Sequence, residues 1–494
     1  HTHADAMIFN SVTFLVFFTV VAGLYWALNR TPRYWFLFIA SLVFYGFWKW
    51  EYLSVILLSA VTDYVVARKL DDLPDAKRRQ RKTWLAVSLS INLGLLMYFK
   101  YLLFFTENLN GLFETLGAAT RIPYWDILLP FGISFYTFET ISYTIDVYRR
   151  HLKAEREFIH YGLFVAFFPK LVAGPIQRAA ELIDQLKERP AFDAAFLSQG
   201  LNRILQGLFL KVVLADNLAP VVDEAFAMDP GLLSGIDVIT LAFLFGFQIY
   251  FDFAAYSHIA LGAALVLGIR IPENFNYPYI STSLREFWKR WHISLSSWIR
   301  DYLYLPLTGV KVTQSTGKGG IGQSLDAQPT ARRRNLALFA TWGIMGFWHG
   351  ANWTFILWGL YHATFIFIER KLQPLKRFIP WAFRPAVTWP LTLGVSMLSW
   401  IPFRAESLTT TFQLYGRLLN PNTLLGMGLR ENTYLVAALV MTLFVLAWAF
   451  AHIVLPKLQH TLAWYPARVL QYTVMVALIL VFLRPINQFI YFQF

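Results

Sequence analysis

Two histidines stand where the surrounding sequence makes histidine costly. His349 lies in Gly346-Phe347-Trp348-His349-Gly350-Ala351-Asn352-Trp353, between the apolar runs 335–348 and 351–369. An ionisable side chain at membrane depth marks a functional site by default. With an unperturbed pKa of about 6.5, imidazole accepts a proton at neutral pH. Gly350 beside it would let backbone or substrate approach closely. The plainer alternative is a histidine that hydrogen-bonds one helix to another, and a lone histidine specifies no reaction. His292 occupies the second locus, the stretch 273–306, where Arg285, Glu286, Lys289, Arg290, Arg300 and Asp301 interleave with aromatics. These groups cannot all face lipid; they need partners, water or a cavity. An interfacial amphipathic helix with snorkelling bases accounts for Lys289 and Arg290. It accounts less well for His292, set between Trp291 and Ile293 and followed by serines.

Three more histidines have apolar surroundings. His160 and His362 read as structural. His258 follows Asp252 by six positions, and the two would line a polar cavity. His292, His349 and Asp252 are conceivable metal ligands, but no HExxH or similar close spacing is present, so the expectation is no metal. Walker A, GxSxG and dinucleotide fingerprints are missing, which argues against an ATPase, a serine hydrolase and a dehydrogenase. Cysteine is absent. Disulfides, Cys-ligated metals and a thioester on this chain are thereby excluded.

The elements that must carry these residues are membrane helices. Of 494 residues 56% are hydrophobic and 15% charged, against about 25% charged in an ordinary soluble domain. Apolar runs at 8–28, 34–48, 52–66, 84–104, 127–147, 200–215, 236–268, 335–348, 351–369, 387–403, 434–455 and 468–483 approach or reach the length of a crossing. Run 236–268 is long enough to be kinked or split. Run 158–174, interrupted by Pro169, Gly174 and Pro175, reads as re-entrant or interfacial. Phe14 to Leu28 has no small-residue cleavage site before the next run and reads as a retained first span. Residues 1–6 read as a cloning remnant or an upstream start, with no role for His1 or His3.

The net charge of +13 comes from clustered bases. They fall in 68–82, 149–156, 270–334 and 370–384, while 105–126 and 216–233 carry acids. One topology satisfies all of these: basic loops cytoplasmic, both termini periplasmic. The lipid bilayer, not nucleic acid, is the partner this charge implies. The polar stretch 311–334 reads as a mobile cytoplasmic loop. Residues 7–494 read as a single integral membrane domain: N-terminal helices 7–126, a catalytic core 127–369 and C-terminal helices 370–494.

The sequence resembles the membrane-bound O-acyltransferase family, in the branch of bacterial alginate O-acetylation proteins. The resemblance rests on Leu129–Phe138 running on to Tyr143–Arg149, Phe168–Ile176, Tyr250–Phe253, Asn274–Pro278 through Arg300–Tyr304, Phe347–Trp353, and the final Phe489–Phe494. It implies an all-α polytopic membrane fold, a ring of about 11–13 tilted transmembrane helices with re-entrant or interfacial helices around a central tunnel. Position by position it makes His349 the family's essential histidine and His292 its second polar position. His258, where relatives commonly place Asp, departs from the pattern.

The implied activity is transfer of acetyl groups from a cytoplasmic thioester, acetyl-CoA, across the inner membrane to an exported polysaccharide such as alginate, with a periplasmic acetyltransferase as the usual partner. His349 would act as general base, Asn352 and Trp353 or backbone N–H groups would stabilise the oxyanion, and His292 would orient the thioester or relay a proton. Arg285, Lys289 and Arg290 would attract coenzyme A phosphates, although positive-inside topology explains them equally well. Asp252 completes the set of candidate binding residues. A polysaccharide or lipid-carrier transporter is the alternative, since broken helices with polar residues serve transporters too.

Overall fold

The computed structural model describes residues 7–125, 127–188, 190–310, 312–314, 321–323, 329–483 and 489–490. Residues 1–6 and most of the stretch 311–328 lie outside them. Among the described residues the chain is helical apart from one antiparallel hairpin, Val312–Gln314 with Ile321–Gln323. This is the first departure from expectation, since 311–334 read wholly as loop. Val312, Thr313 and Ile321 favour extended backbone.

Six described helices are long and apolar enough to cross a membrane: Asp75–Thr115, Ala194–Phe226, Gly235–Val266, Pro385–Arg404, Glu431–Leu458 and Trp464–Val481. The run expected to be kinked or split is one continuous helix, Gly235–Val266. Its apolar composition continues all round, and 89% of its most apolar window is buried, so protein rather than lipid surrounds it. Glu431–Leu458 and Trp464–Val481 are the opposite case. Leu435, Leu446, Val469 and Leu480 are largely exposed there, which suits a hydrocarbon solvent. The helix expected from 127 begins only at Ile133. Pro130 precedes it, and Gly132 adopts φ +72° where a Cβ would strike the Leu171 carbonyl at 2.3 Å. Among the described residues four segments widen into π turns; two of them, Arg300–Tyr304 and Phe450–Val454, lie just before Pro306 and Pro456, where the missing proline N–H breaks the regular ladder.

The chain forms two compact units. One takes residues 1–204, 259–272 and 300–329. Its helices Leu53–Asp72, Arg78–Leu96 and Ile133–Tyr148 share a buried polar knot. Asp63 there accepts from Ser88, from Asn92 Nδ2 at 2.7 Å and from Thr144 at 3.0 Å. Such donors are what a buried carboxylate requires. A second buried pair joins Lys170 to Glu139, which also accepts from the Gln177 N–H at 2.9 Å. The broken run 158–174 becomes Phe158–Ala166 followed by the single turn Phe168–Leu171. Arg300 and Asp301 satisfy one another, and Arg178 reaches Asp301 at 3.0 Å.

The other unit takes 205–258, 273–299 and 330–494. It contains a helical hairpin, Ala331–His349 and Trp353–Leu372. The two helices approach so closely that a Cβ on Gly346 would lie 2.2 Å from the Phe355 carbonyl oxygen, and one on Gly359 2.1 Å from that of Trp342. Close backbone approach at small residues is how helices pack where lipid removes the hydrophobic drive.

Candidate active site

His349 is the last residue of the Ala331–His349 helix, and it is buried. The extended backbone of Gly350 ends the helix, and Asn352 starts the next by accepting from the Thr354 N–H at 3.1 Å. The imidazole thus sits at a helix–helix corner. Three rings meet it edge to face: Trp348 at 4.9 Å, Trp358 at 4.9 Å and Phe403 at 5.5 Å. Rings at these separations and angles contribute packing beyond area burial and fix the plane of the imidazole. The expectation that Gly350 leaves room for backbone or substrate is corrected here. The Phe355 ring fills the space, 2.1 Å from where a Cβ would stand.

His292 also sits at a break, between the short helices Leu284–Arg290 and Ile293–Ile299. The first is opened by a capping arrangement: Ser283 accepts from the Glu286 N–H at 3.1 Å, and Glu286 accepts from the Thr282 N–H at 2.9 Å. His292 itself takes φ +41°, left-handed for a side chain with a Cβ. Such a conformation costs on the order of 1–3 kcal/mol and persists only where neighbours impose it. Here the Ile293 N–H donates to the Asn274 carbonyl at 3.0 Å, and the Asn276 N–H to that of Arg290 at 2.9 Å. The ring is fully buried, perpendicular to Phe253 at 4.7 Å. Burial pushes its pKa down to about 3, so it is neutral at physiological pH.

The two loci belong to one aromatic run. Phe253 touches Phe275 at 5.1 Å, Phe275 touches Trp291 at 5.1 Å, and Trp291 touches Trp400 at 4.8 Å. Trp400 meets Phe403 at 5.4 Å, and Phe403 faces His349. Sequence reading missed this path, because its members are scattered over 150 positions of chain between Phe253 and Phe403. His362 reads as structural in sequence. That ring is fully buried and boxed by Trp288, Trp342 and Trp358, each 5.0 to 5.3 Å away.

The remaining expected residues fall in varied places. The Asn352 amide caps its helix with one end and donates to the Glu406 carbonyl at 3.3 Å with the other. Trp353 is half exposed at the first turn. Arg285 and Lys289 are exposed, whereas Arg290 pairs with Glu286 at 2.9 Å, one helical turn earlier. Asp252 is buried with both oxygens engaged, by Lys211 Nζ at 2.6 Å and by the Ile490 N–H at 2.7 Å.

The model of MBOAT, the membrane-bound O-acyltransferase family, matches residues 14–321. The probable alginate O-acetylase AlgI of Azotobacter vinelandii is 39% identical over 415 residues, 84% of this chain and 78% of that protein. The protein of the same name from Pseudomonas aeruginosa is 38% identical over 447 residues, 89% of this chain and 81% of its own length. The peptidoglycan O-acetyltransferase of Helicobacter pylori is 34% identical over 454 residues, covering 84% and 80% respectively.

Proposed function

The chain belongs to the membrane-bound O-acyltransferase family, and on that premise we propose that this O-acyltransferase carries acetyl groups from cytoplasmic acetyl-CoA across the inner membrane to acetylate the hydroxyls of an exported polysaccharide such as alginate. The observation that supports it most directly is the pair of buried histidines at helix breaks on one aromatic run. Alginate enters through relatives whose names carry that substrate.

His349 is the general base. It takes the proton from the acceptor hydroxyl as the oxygen attacks the thioester carbonyl carbon. The tetrahedral oxyanion finds donors at the start of the Trp353–Leu372 helix, from Trp353 and Asn352. When it collapses the C–S bond breaks, and the imidazolium returns its proton to the leaving thiolate. General-base catalysis of this kind is worth about 10²–10⁴-fold, and the preorganised donors add to it. Neutral His292 relays a proton at the other locus. A central tunnel lets donor and acceptor meet, with Arg285 and Lys289 as exposed cations for coenzyme A phosphates. Basic loops face the cytoplasm, both termini the periplasm, and a periplasmic acetyltransferase receives or delivers the acetyl group.

The test is radiolabelled acetyl transfer from acetyl-CoA by membranes holding the wild type or His349→Ala at equal levels. Transfer should fall by about 10²–10⁴-fold in the variant. A correctly inserted His349→Ala protein with wild-type transfer refutes the assignment. Wild-type protein that moves a polysaccharide or lipid carrier without consuming acetyl-CoA favours the transporter.

A further inference from the structure

Asn274 is neither acid nor base, yet its side chain sets which ring nitrogen of His292 carries the hydrogen. It is 1% exposed. Three groups converge on its Oδ1: the Ser294 hydroxyl at 2.8 Å, the Ser294 backbone N–H at 3.2 Å and Nδ1 of His292 at 3.1 Å. A backbone N–H can only donate, so the atom facing it must be the amide oxygen and not the amide nitrogen. The orientation of the Asn274 side chain is therefore fixed by a partner whose role is unambiguous. An amide oxygen can only accept. Nδ1 of His292 must then carry the hydrogen, and in the neutral ring the lone pair belongs to Nε2.

We propose that Asn274 is a positioning residue for acyl transfer: it holds His292 in the Nδ1–H tautomer and so presents Nε2 as the accepting atom. The surroundings give it the rigidity to do so. Its amide nitrogen reaches the Ser257 hydroxyl on the Gly235–Val266 helix at 3.5 Å. Its own backbone carbonyl binds the Ile293 N–H just past the break. Phe253, perpendicular to the imidazole, opposes rotation of the ring. One residue thus sets both the left-handed backbone and the tautomer of His292. An Nε2 lone pair accepts a proton or a thiol hydrogen bond; an Nε2–H would only donate. The tautomer accordingly decides whether His292 relays protons toward a base or merely polarises a carbonyl.

The inference rests on His292 belonging to the acyl-transfer site, and the test separates the two. Purified protein with ¹⁵N-labelled histidine, in lipid bilayers, is compared with His292→Gln to assign the His292 signals. In the wild type, Nδ1 should show the shift of a protonated ring nitrogen and Nε2 that of an unprotonated one. In Asn274→Ala that pattern should be lost, and kcat for acetyl transfer should fall at least about tenfold with little change in KM. Asn274→Asp keeps an acceptor in place, and should restore the Nδ1–H signal and most of kcat. A wild-type spectrum with Nε2 protonated overturns the proposal, as does an unchanged spectrum and kcat in Asn274→Ala. Full activity in His292→Ala, with the tautomer still dependent on Asn274, removes His292 from the site while leaving the hydrogen-bond reading intact.

Discussion

At the scale of single residues, the site is shaped as much by what is left out as by what is present. Gly350 has extended backbone, at φ −160°, so nothing in its torsions calls for glycine. The reason is steric. A methyl there would meet three carbons of the Phe355 ring at 2.1 to 2.8 Å. Phe355 lies edge-on to Phe403 at 4.9 Å, and Phe403 faces His349. Gly350→Ala should therefore displace a wall of the imidazole's slot. Overpacking of this kind costs about 1–3 kcal/mol, and acetyl transfer per folded molecule should drop with it. Gly343→Ala, on the same helix, is the control: the nearest atom to its added methyl is Leu360 Cδ2 at 3.8 Å, so its change should stay within about 0.5 kcal/mol. Comparing unfolding in mixed micelles with transfer rates for both variants checks the pair. Equal tolerance of the two substitutions would show that Phe355 gives way without disturbing the site.

At the scale of elements, the segment between the Ile133–Tyr148 and Phe158–Ala166 helices behaves as a staple, although its sequence reads as a basic loop. Arg150 reaches Asp75 at 3.1 Å, and Arg156 reaches Asp71 at 2.8 Å and Asp72 at 2.9 Å. Glu155 is the reverse case. Burial would raise its pKa, but His160, Lys187 at 2.6 Å and the Glu157 N–H together hold it down to about 2. A carboxyl depressed in the folded state lends stability that is complete above its ordinary value of 4.5 and is lost as pH falls from there toward 2. Lys187→Met should weaken that depression. Unfolding midpoints of wild type and variant should differ most at neutral pH and draw together as pH approaches 2; a constant gap across the range would mean Lys187 acts through packing alone. The apolar runs were legible in sequence because lipid demands long stretches of one polarity, and His349 was legible because it interrupts them. The starts of helices were less so: Gly132 delays one by several residues for a contact with Leu171. The polar contacts were not legible. Asn274 and His292 are 18 positions apart, and they share no element: the turn Pro278–Ile280 and the helix Leu284–Arg290 lie between them. For Arg290, coenzyme A phosphates and positive-inside topology were equal readings, and the pairing with Glu286 four residues before it belongs to ordinary helical spacing.

At the scale of the whole molecule, the end of the chain is tied to its middle. Phe489 is 1% exposed, edge-on to Tyr256 at 5.0 Å, and Lys211 Nζ stands 4.4 Å from the centre of its ring. Lys211 also pairs with Asp216 at 2.9 Å and Asp252 at 2.6 Å. The Ile490 N–H donates to the second oxygen of Asp252 across 238 positions of sequence. A lipid-facing helix gains little from burying apolar surface, because hydrocarbon already surrounds it. Directional contacts of this sort must then do more of the holding than they would in water. Asp252→Asn keeps the shape but offers one oxygen where two are used, so either Lys211 or the Ile490 N–H must face an amide donor. The expected cost is about 1–3 kcal/mol. Phe489→Ala opens a cavity at the same clamp and should cost about 3 kcal/mol. Once either change has loosened the chain end, the other has less to remove. The double variant should be less destabilised than the sum of the singles, by about 0.5–3 kcal/mol. Unfolding in mixed micelles of the four proteins measures that coupling. Strict additivity would mean the charged triad and the buried ring hold the chain end independently.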